Sequence, residues 1–284
     1  MWKQKIGFSV GNKYSIPTEE MVKLVKEAGF DAVSPVWDRK VDLAPVIEAT
    51  RACELELQSL HAPFHWASKL WNEDEEISAP AKEELMTALE DCHRWEIPVM
   101  VVHAWIGFGD EVGCISAGLK NYGELIDRAE QYGILIAFEN TEGLQYLETL
   151  LEHFKDRRTV GFCWDSGHEL CYNYSEDLLA KYGDRLYMTH LNDNLGISRF
   201  DGKIYWTDDL HLLPYDGIAD WDVYADRLAS SRHMEILNFE LKIDSIPNRH
   251  ENDTYSQMGL EQYLAEAYKR ACRLAYRYAQ KNNF

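Results

Sequence analysis

Clustered positive charge is what this chain has least of. Its 284 residues include 29 Lys and Arg against 48 Asp and Glu, a formal net charge of −19 at pH 7. A field of that sign repels a phosphate backbone or an anionic lipid surface, so neither nucleic acid nor a membrane is an expected partner. The densest basic stretch is only "DRR" at Asp156–Arg158. The bland reading of the acidity is solubility, and most of it is put down to that.

Other absences narrow the field. None of the six cysteines forms a C-x-x-C pair, and a chain this large needs no disulfide staples; they read as reduced thiols of a cytoplasmic protein. No stretch of about 18 apolar residues is present to span a bilayer. The opening "MWKQKIGFSVG" lacks the apolar core of a signal peptide. The first strand-like run is followed by "SVGNKYS", which is no glycine-rich phosphate turn, and this counts against an open dinucleotide-binding sheet. With no linker or low-complexity break either, residues 1–284 read as one domain.

What is present is a repeat. A short apolar run is followed by a helical pattern eight times: "IGFSV", "AVSPVW", "LQSLHA", "VMVVHA", "ILIAFEN", "VGFCWD", "LYMTHLND" and "ILNFELK" each precede one. The runs are apolar throughout rather than alternating, as strands covered on both faces are. After the first, Met21, Leu24, Val25 and Ala28 share a helical face, and Gly29 suits the stop. Pro80 fits the start of the third helix. The last helix is long and carries Tyr268, Tyr276 and Tyr278, which read as packing or surface; its aromatic content leaves a homo-oligomer open. Eight strand–helix units in a chain of 284 residues predict an α/β fold, a closed (β/α)8 barrel with its site at the C-terminal strand ends.

Those ends carry a common chemistry. The third run ends at His61, the fourth at His103, the fifth at Glu139 and the sixth at Asp165, with His168 three residues on. The seventh ends at His190 with Asp193 nearby, its loop holds Asp209 and His211, and the eighth ends at Glu240. A single histidine after an apolar run is more often structural than functional, and a single Asp or Glu is often a helix cap. Six strands with such residues on one rim are harder to dismiss. Imidazole and carboxylate suit a divalent cation, whose charge would offset the cost of burying Asp165. His168 would then be a second ligand or a substrate contact. Lys242 falls on the same strand face as Glu240 and reaches either substrate or a structural salt bridge.

The segments "SLHAPF", "VVHA", "AFEN", "WDSGH", "THLNDN", "DLHLLPYDGIADW" and "FELK", in this order along essentially the whole chain, resemble the xylose isomerase-like barrel superfamily. That group contains the sugar phosphate isomerases and epimerases and the family 2 apurinic/apyrimidinic endonucleases. In the epimerase branch the resemblance implies one divalent metal (Mn, Zn, Co or Mg) held by Glu139, Asp165, His190 and Glu240, with His168 on substrate hydroxyls. In the nuclease branch it implies three zinc ions and further ligands at His61, His103, His168, Asp209 and His211. All of those residue types are present, so ligand identity does not separate the two. The segment "LLPYDG" departs from the small glycine-rich turn of many relatives by carrying Tyr215 and Asp216.

The leading expectation is a metal-dependent isomerase or epimerase of a sugar or related polyol, working through a metal-stabilised enediolate. Glu139 and Glu240 would transfer the proton and His168 would orient the substrate oxygen. Charge and the scarcity of Lys and Arg in the loops weigh against the zinc phosphodiesterase. The loops instead hold Trp37, Phe64, Trp66, Trp71, Trp105, Phe108, Tyr205 and Trp206. Of these, Phe64, Trp66 and Trp105, together with Lys242, are the candidate substrate contacts, although any one aromatic serves equally well to close the barrel top. A polyol dehydratase on the same scaffold and a non-catalytic binding barrel complete the alternatives. The loops lack a phosphate-binding signature, which favours an unphosphorylated sugar.

Overall fold

The structure is a computed structural model describing residues 4–11, 14–109 and 112–282. Its strands are β1 (Lys5–Val10), β2 (Ala32–Pro35), β3 in two pieces (Glu56–Leu57 and Leu60–His61), β4 (Val99–His103), β5 (Leu135–Glu139), β6 (Val160–Asp165), β7 (Leu186–His190) and β8 (Ile236–Phe239). All ladders between them are parallel. One sheet runs from the first piece of β3 through β2 and β1 to β8, the other from the second piece of β3 through β4, β5 and β6 to β7. Parallel bridges Val36–His61 and Leu191–Phe239 join the two sheets at both seams, closing the (β/α)8 barrel.

The helices are α1 (Thr18–Ala28), α2 (Ala44–Ala52), α3 (Glu75–Trp95), α4 (Ile115–Tyr132), α5 (Leu144–His153), α6 (Ser166–Cys171), α7 (Leu178–Tyr182), α8 (Trp221–Ala229), α9 (Asp253–Ser256) and α10 (Leu260–Lys281). α1 ends as expected, with Gly29 at φ 110° donating back to the last turn. Its buried centre is Met21, Val22 and Val25, with Leu24 and Ala28 half-buried at the edge. α10 buries Tyr263, Leu264, Ala267, Ala271, Leu274, Ala275, Tyr278 and Ala279. Four alanines in that stripe let the helix lie close against β1, α1 and α8. Tyr278 is thus core, its hydroxyl accepting from the Met234 N–H, while Tyr276 is exposed. No helix among the described residues is long and apolar enough to cross a membrane.

Three local expectations need correction. Pro80 lies inside α3 rather than at its start, because the Asp74 carboxylate accepts the Glu76 N–H and caps the helix more than a turn earlier. The third strand is broken at Gln58–Ser59, where it passes from one sheet to the other. The sixth crossover is split, since α6 starts directly on the last residue of β6 and α7 is a single short turn of helix.

Candidate functional site

Parallel pairing sets the donors at one level. His103 is registered against Glu139, Glu139 against Cys163, and Asp165 against His190, while His61 bridges to Val36 and Glu240 follows directly on β8. All six expected strand-end residues are buried, Glu139 and Asp165 completely. Glu139 is the hub. Its Oε2 lies 3.1 Å from His103 Nε2 and 3.3 Å from His61 Nε2; its Oε1 lies 3.0 Å from His190 Nδ1 and 3.4 Å from His168 Nδ1. His190 Nδ1 is also 2.9 Å from Glu240 Oε2.

Glu139, Asp165, His190 and Glu240 each offer one ligand atom, and these atoms lie within 4.8 Å of one another. Ligands of one ion at about 2.0–2.2 Å stand roughly 3–4.4 Å apart, so the four lie close to the spacing that a shared divalent cation requires. The same proximity holds for His61, His103 and Glu139, for Glu139, Cys163 and His190, and for His168, Asp209 and His211. A backbone carbonyl faces Nδ1 of His61 (Ala62, 2.8 Å), His168 (Asn140, 3.0 Å) and His211 (Glu240, 3.1 Å). Carbonyls only accept, so each Nδ1 carries the hydrogen. Each Nε2 is turned to a carboxylate: Glu139 for His61, Asp209 for His168 and His211. This is the arrangement by which outer partners orient imidazole ligands.

The charges are strongly coupled. Burial would raise the Glu139 carboxyl, but His190 and His103 outweigh it and hold Glu139 well below the usual carboxylate range. Burial pushes Asp165 up to about 7; His168 opposes this, and Glu139, Asp209 and Glu240 add to it. Burial works against charge on His190, while Cys163, Glu139 and Glu240 favour it and raise the imidazole well above its ordinary value. Because burial pushes the Cys163 thiol itself up to about 12, the thiol is neutral near pH 7 and the carboxylates account for the charge on His190. His168 is raised to about 10: burial opposes it, Asp165 and Asp209 overcome that. Burial takes His103 down to about 4 despite Glu139.

The spacing of "WDSGH" has a local cause. Asp165 caps α6 by accepting the His168 N–H at 2.7 Å, which turns His168 back over the cavity. Its other oxygen accepts from Asn192 Nδ2 at 2.9 Å. A Cβ at Gly167 would lie 1.9 Å from Asn192 Oδ1, so any other residue there must displace the Asn192 amide. Behind Asp165, Asn140 exchanges two hydrogen bonds with the Asp165 backbone and reaches Asn173, which in turn donates to the Thr141 carbonyl. Asp193 holds the departing loop rather than the cavity. Its carboxylate accepts from the N–H groups of Asn194, Tyr215 and Ala219 and from Trp221 Nε1, so Tyr215 and Asp216 sit on a turn wrapped around a buried anion.

The expected substrate contacts separate. Phe64 stacks on His103 with ring centroids 4.8 Å apart, at the wall of the site. Trp66 is exposed at the rim. Trp105 is buried, stacked on Tyr146 at 4.1 Å and packed against Gly107 and Gly143 behind β4. Trp71 and Trp37 are likewise packing, their indole N–H groups held by the Ala104 carbonyl and Asp91. Lys242 Nζ turns to Asp209, 3.2 Å from its carbonyl oxygen and 3.5 Å from Oδ2.

Sequence reasoning missed Tyr172, whose ring lies 4.9 Å from His168 and 5.6 Å from Phe108. It also missed Glu142, which accepts the N–H groups of Gly107 and Phe108 and pins the loop after β4 over the site. The first had a signal, one helical turn beyond His168; the second had none, because a loop clasp has no period.

A family model described as a xylose isomerase-like TIM barrel matches residues 22–267. Among curated proteins, an uncharacterised protein y4fM from Sinorhizobium fredii (strain NBRC 101917 / NGR234) is 41% identical over 86 residues, which is 30% of this chain and 24% of that one. A solved xylose isomerase-like TIM barrel/4-hydroxyphenylpyruvate dioxygenase fusion protein superposes with TM-score 0.71 at 14% identity, over 98% of this chain and 45% of its own. This chain thus spans less than half of either protein. An L-ribulose 3-epimerase gives 0.72 at 13% identity over 99% and 96% of the two chains. The IOLI protein with a bound zinc atom gives 0.71 at 17% over 96% and 98%.

Proposed function

Since the chain belongs to the xylose isomerase-like TIM barrel family, we propose that it is a divalent-metal-dependent isomerase or epimerase of a sugar or related polyol. The observation that carries this reading is the convergence of Glu139, Asp165, His190 and Glu240 from four strands within 4.8 Å. These four would hold the metal. When bound, a divalent cation polarises a carbonyl and stabilises negative charge on its oxygen. One solved structure of the same fold is an L-ribulose 3-epimerase, which supports a sugar as the substrate.

The chain's own groups do the proton work. Glu139 and Glu240 flank His190 Nδ1 at 3.0 and 2.9 Å. One carboxylate takes a proton from the carbon beside the carbonyl and the other returns it. Return to the opposite face of the same carbon epimerises; return to the neighbouring carbon, with the hydroxyl proton passing to the former carbonyl oxygen, interconverts aldose and ketose. His168, raised to about 10, remains a donor at neutral pH and orients a substrate oxygen. Phe64 and Tyr172 supply flat walls beside His103 and His168. The net charge of −19 suits an uncharged sugar better than a phosphorylated one.

One observation favours a second reading, metal-assisted phosphodiester hydrolysis. The donor groups His61–His103–Glu139 and His168–Asp209–His211 flank the first and share Glu139 with it or lie beside it. The metal-loaded protein decides between them in heavy water. Incubation with ketoses and inososes is expected to place deuterium on the carbon next to the carbonyl. No exchange on any of these, with cleavage of a phosphodiester instead, would reverse the assignment.

Metal affinity is also expected to depend on pH. Asp165 and His190 both carry protons near neutrality in the metal-free protein, and a cation must displace them. Each proton released contributes about tenfold per pH unit. Affinity measured by calorimetry should therefore rise about 10- to 100-fold per unit up to pH ~7, where Asp165 loses its proton, and less steeply above. A flat profile from pH 5.5 to 7.5 would contradict a proton held on Asp165 by burial and one held on His190 by the neighbouring carboxylates.

A further inference from the structure

The donor group of His168, Asp209 and His211 has a cation of its own. Asp209 Oδ1 lies 2.9 Å from His211 Nε2 and 3.4 Å from His168 Nε2, and the Lys242 ammonium sits on the same carboxylate, 3.5 Å from Oδ2, while also donating to the Asp209 carbonyl. The ammonium is delivered by a fixed backbone. Lys242 N–H donates to the His211 carbonyl at 3.0 Å, and the Lys242 carbonyl accepts from Tyr263 Oη at 2.9 Å and Asn252 Nδ2 at 3.1 Å. His211 is held in turn, its Nδ1 on the Glu240 carbonyl and its backbone at φ 49°. Strand end, loop and terminal helix thus converge to point one positive charge at Asp209.

We propose that the Lys242 ammonium stands in for a cation at His168, Asp209 and His211, so that the chain holds one divalent ion fewer than its donor groups would accommodate. That group contains a single carboxylate. A divalent ion beside a fixed ammonium meets like-charge repulsion that one carboxylate does not offset at such short range. The same ammonium, partly open to solvent, can donate a hydrogen bond to a substrate oxygen without a further ion. The inference rests on the metal-dependent sugar reading and sharpens it: a lysine at this corner recognises a neutral hydroxyl or carbonyl oxygen, whereas three-cation phosphodiester chemistry needs the corner for an ion.

The test is equilibrium dialysis against zinc(II) and cobalt(II) at pH 7.5 with elemental analysis of the wild-type protein, Lys242→Met and Lys242→Arg. Lys242→Gln is a second neutral variant should the first fail to fold. The neutral variant is expected to take up one additional ion per chain, through at least a tenfold gain at the weakest site. Lys242→Arg should match the wild type, and adding Asp209→Asn to Lys242→Met should remove the extra ion. Equal ion counts and affinities in wild type and neutral variants overturn the inference, as does a wild-type chain already holding an ion on Asp209. The underlying metal reading fails separately, when wild type binds no divalent ion or Asp165→Asn binds as wild type does.

Discussion

Glu139→Gln is expected to leave a folded barrel that has lost both its divalent ion and its turnover. The carboxylate lies 3.0–3.4 Å from four imidazoles, three at strand ends and one on α6, and it belongs to three of the four donor groups among the described residues. The amide preserves shape and removes the charge that keeps His190 protonated or metal-bound. Removing an acid–base group costs about 10²–10⁴-fold in rate, and here the same change also weakens the metal site, so kcat/KM is expected at or beyond the upper end. Circular dichroism and metal analysis accompany the kinetics. A Glu139→Gln protein that keeps normal metal content and turnover would remove Glu139 from the mechanism.

The second large effect lies behind the site. Arg227 on α8 grips Glu169 on α6 with two parallel hydrogen bonds of 2.7 and 2.9 Å, and Glu169 is 2% exposed. Trp164 Nε1 donates to the same carboxylate at 2.9 Å, and the guanidinium lies over the Trp164 and Tyr224 rings at 5.2 Å each. This pair ties α6, which carries His168, to the outer layer. Breaking a buried pair from one side strands the other charge, so Arg227→Ala should cost about 3–5 kcal/mol in urea unfolding. The exposed Lys120–Glu75 pair supplies the contrast; solvent screens it, and its removal should leave the urea unfolding midpoint essentially unchanged. A loss at Arg227 no larger than that would mean Glu169 finds water or another donor.

The barrel was legible because its signal is repetitive. Eight apolar runs covered on both faces, each followed by a helical pattern, leave few other ways to fold. Strand ends were legible for the same reason: His61, His103, Glu139, Asp165 and His190 all terminate their strands, and Glu240 follows directly on the last. Interruptions were not. The break at Gln58–Ser59 depends on sheet closure, and the early start of α3 depends on a single Asp74 hydrogen bond. Aromatic residues were ambiguous because stacking on a sugar and stacking on Tyr146 call for the same side chain, as Trp105 illustrates. Long-range polar pairings such as Asn140–Asn173, Arg227–Glu169 and Lys242–Asp209 have no sequence period at all.

The position of the bound ion tests the central claim most directly. Crystals grown with manganese(II) and measured at a wavelength giving an anomalous signal should show a peak about 2.0–2.3 Å from oxygens of Glu139, Asp165 and Glu240 and from Nδ1 of His190. A metal-saturated protein whose ion lies elsewhere, with those four side chains bonded only to one another, would contradict the account.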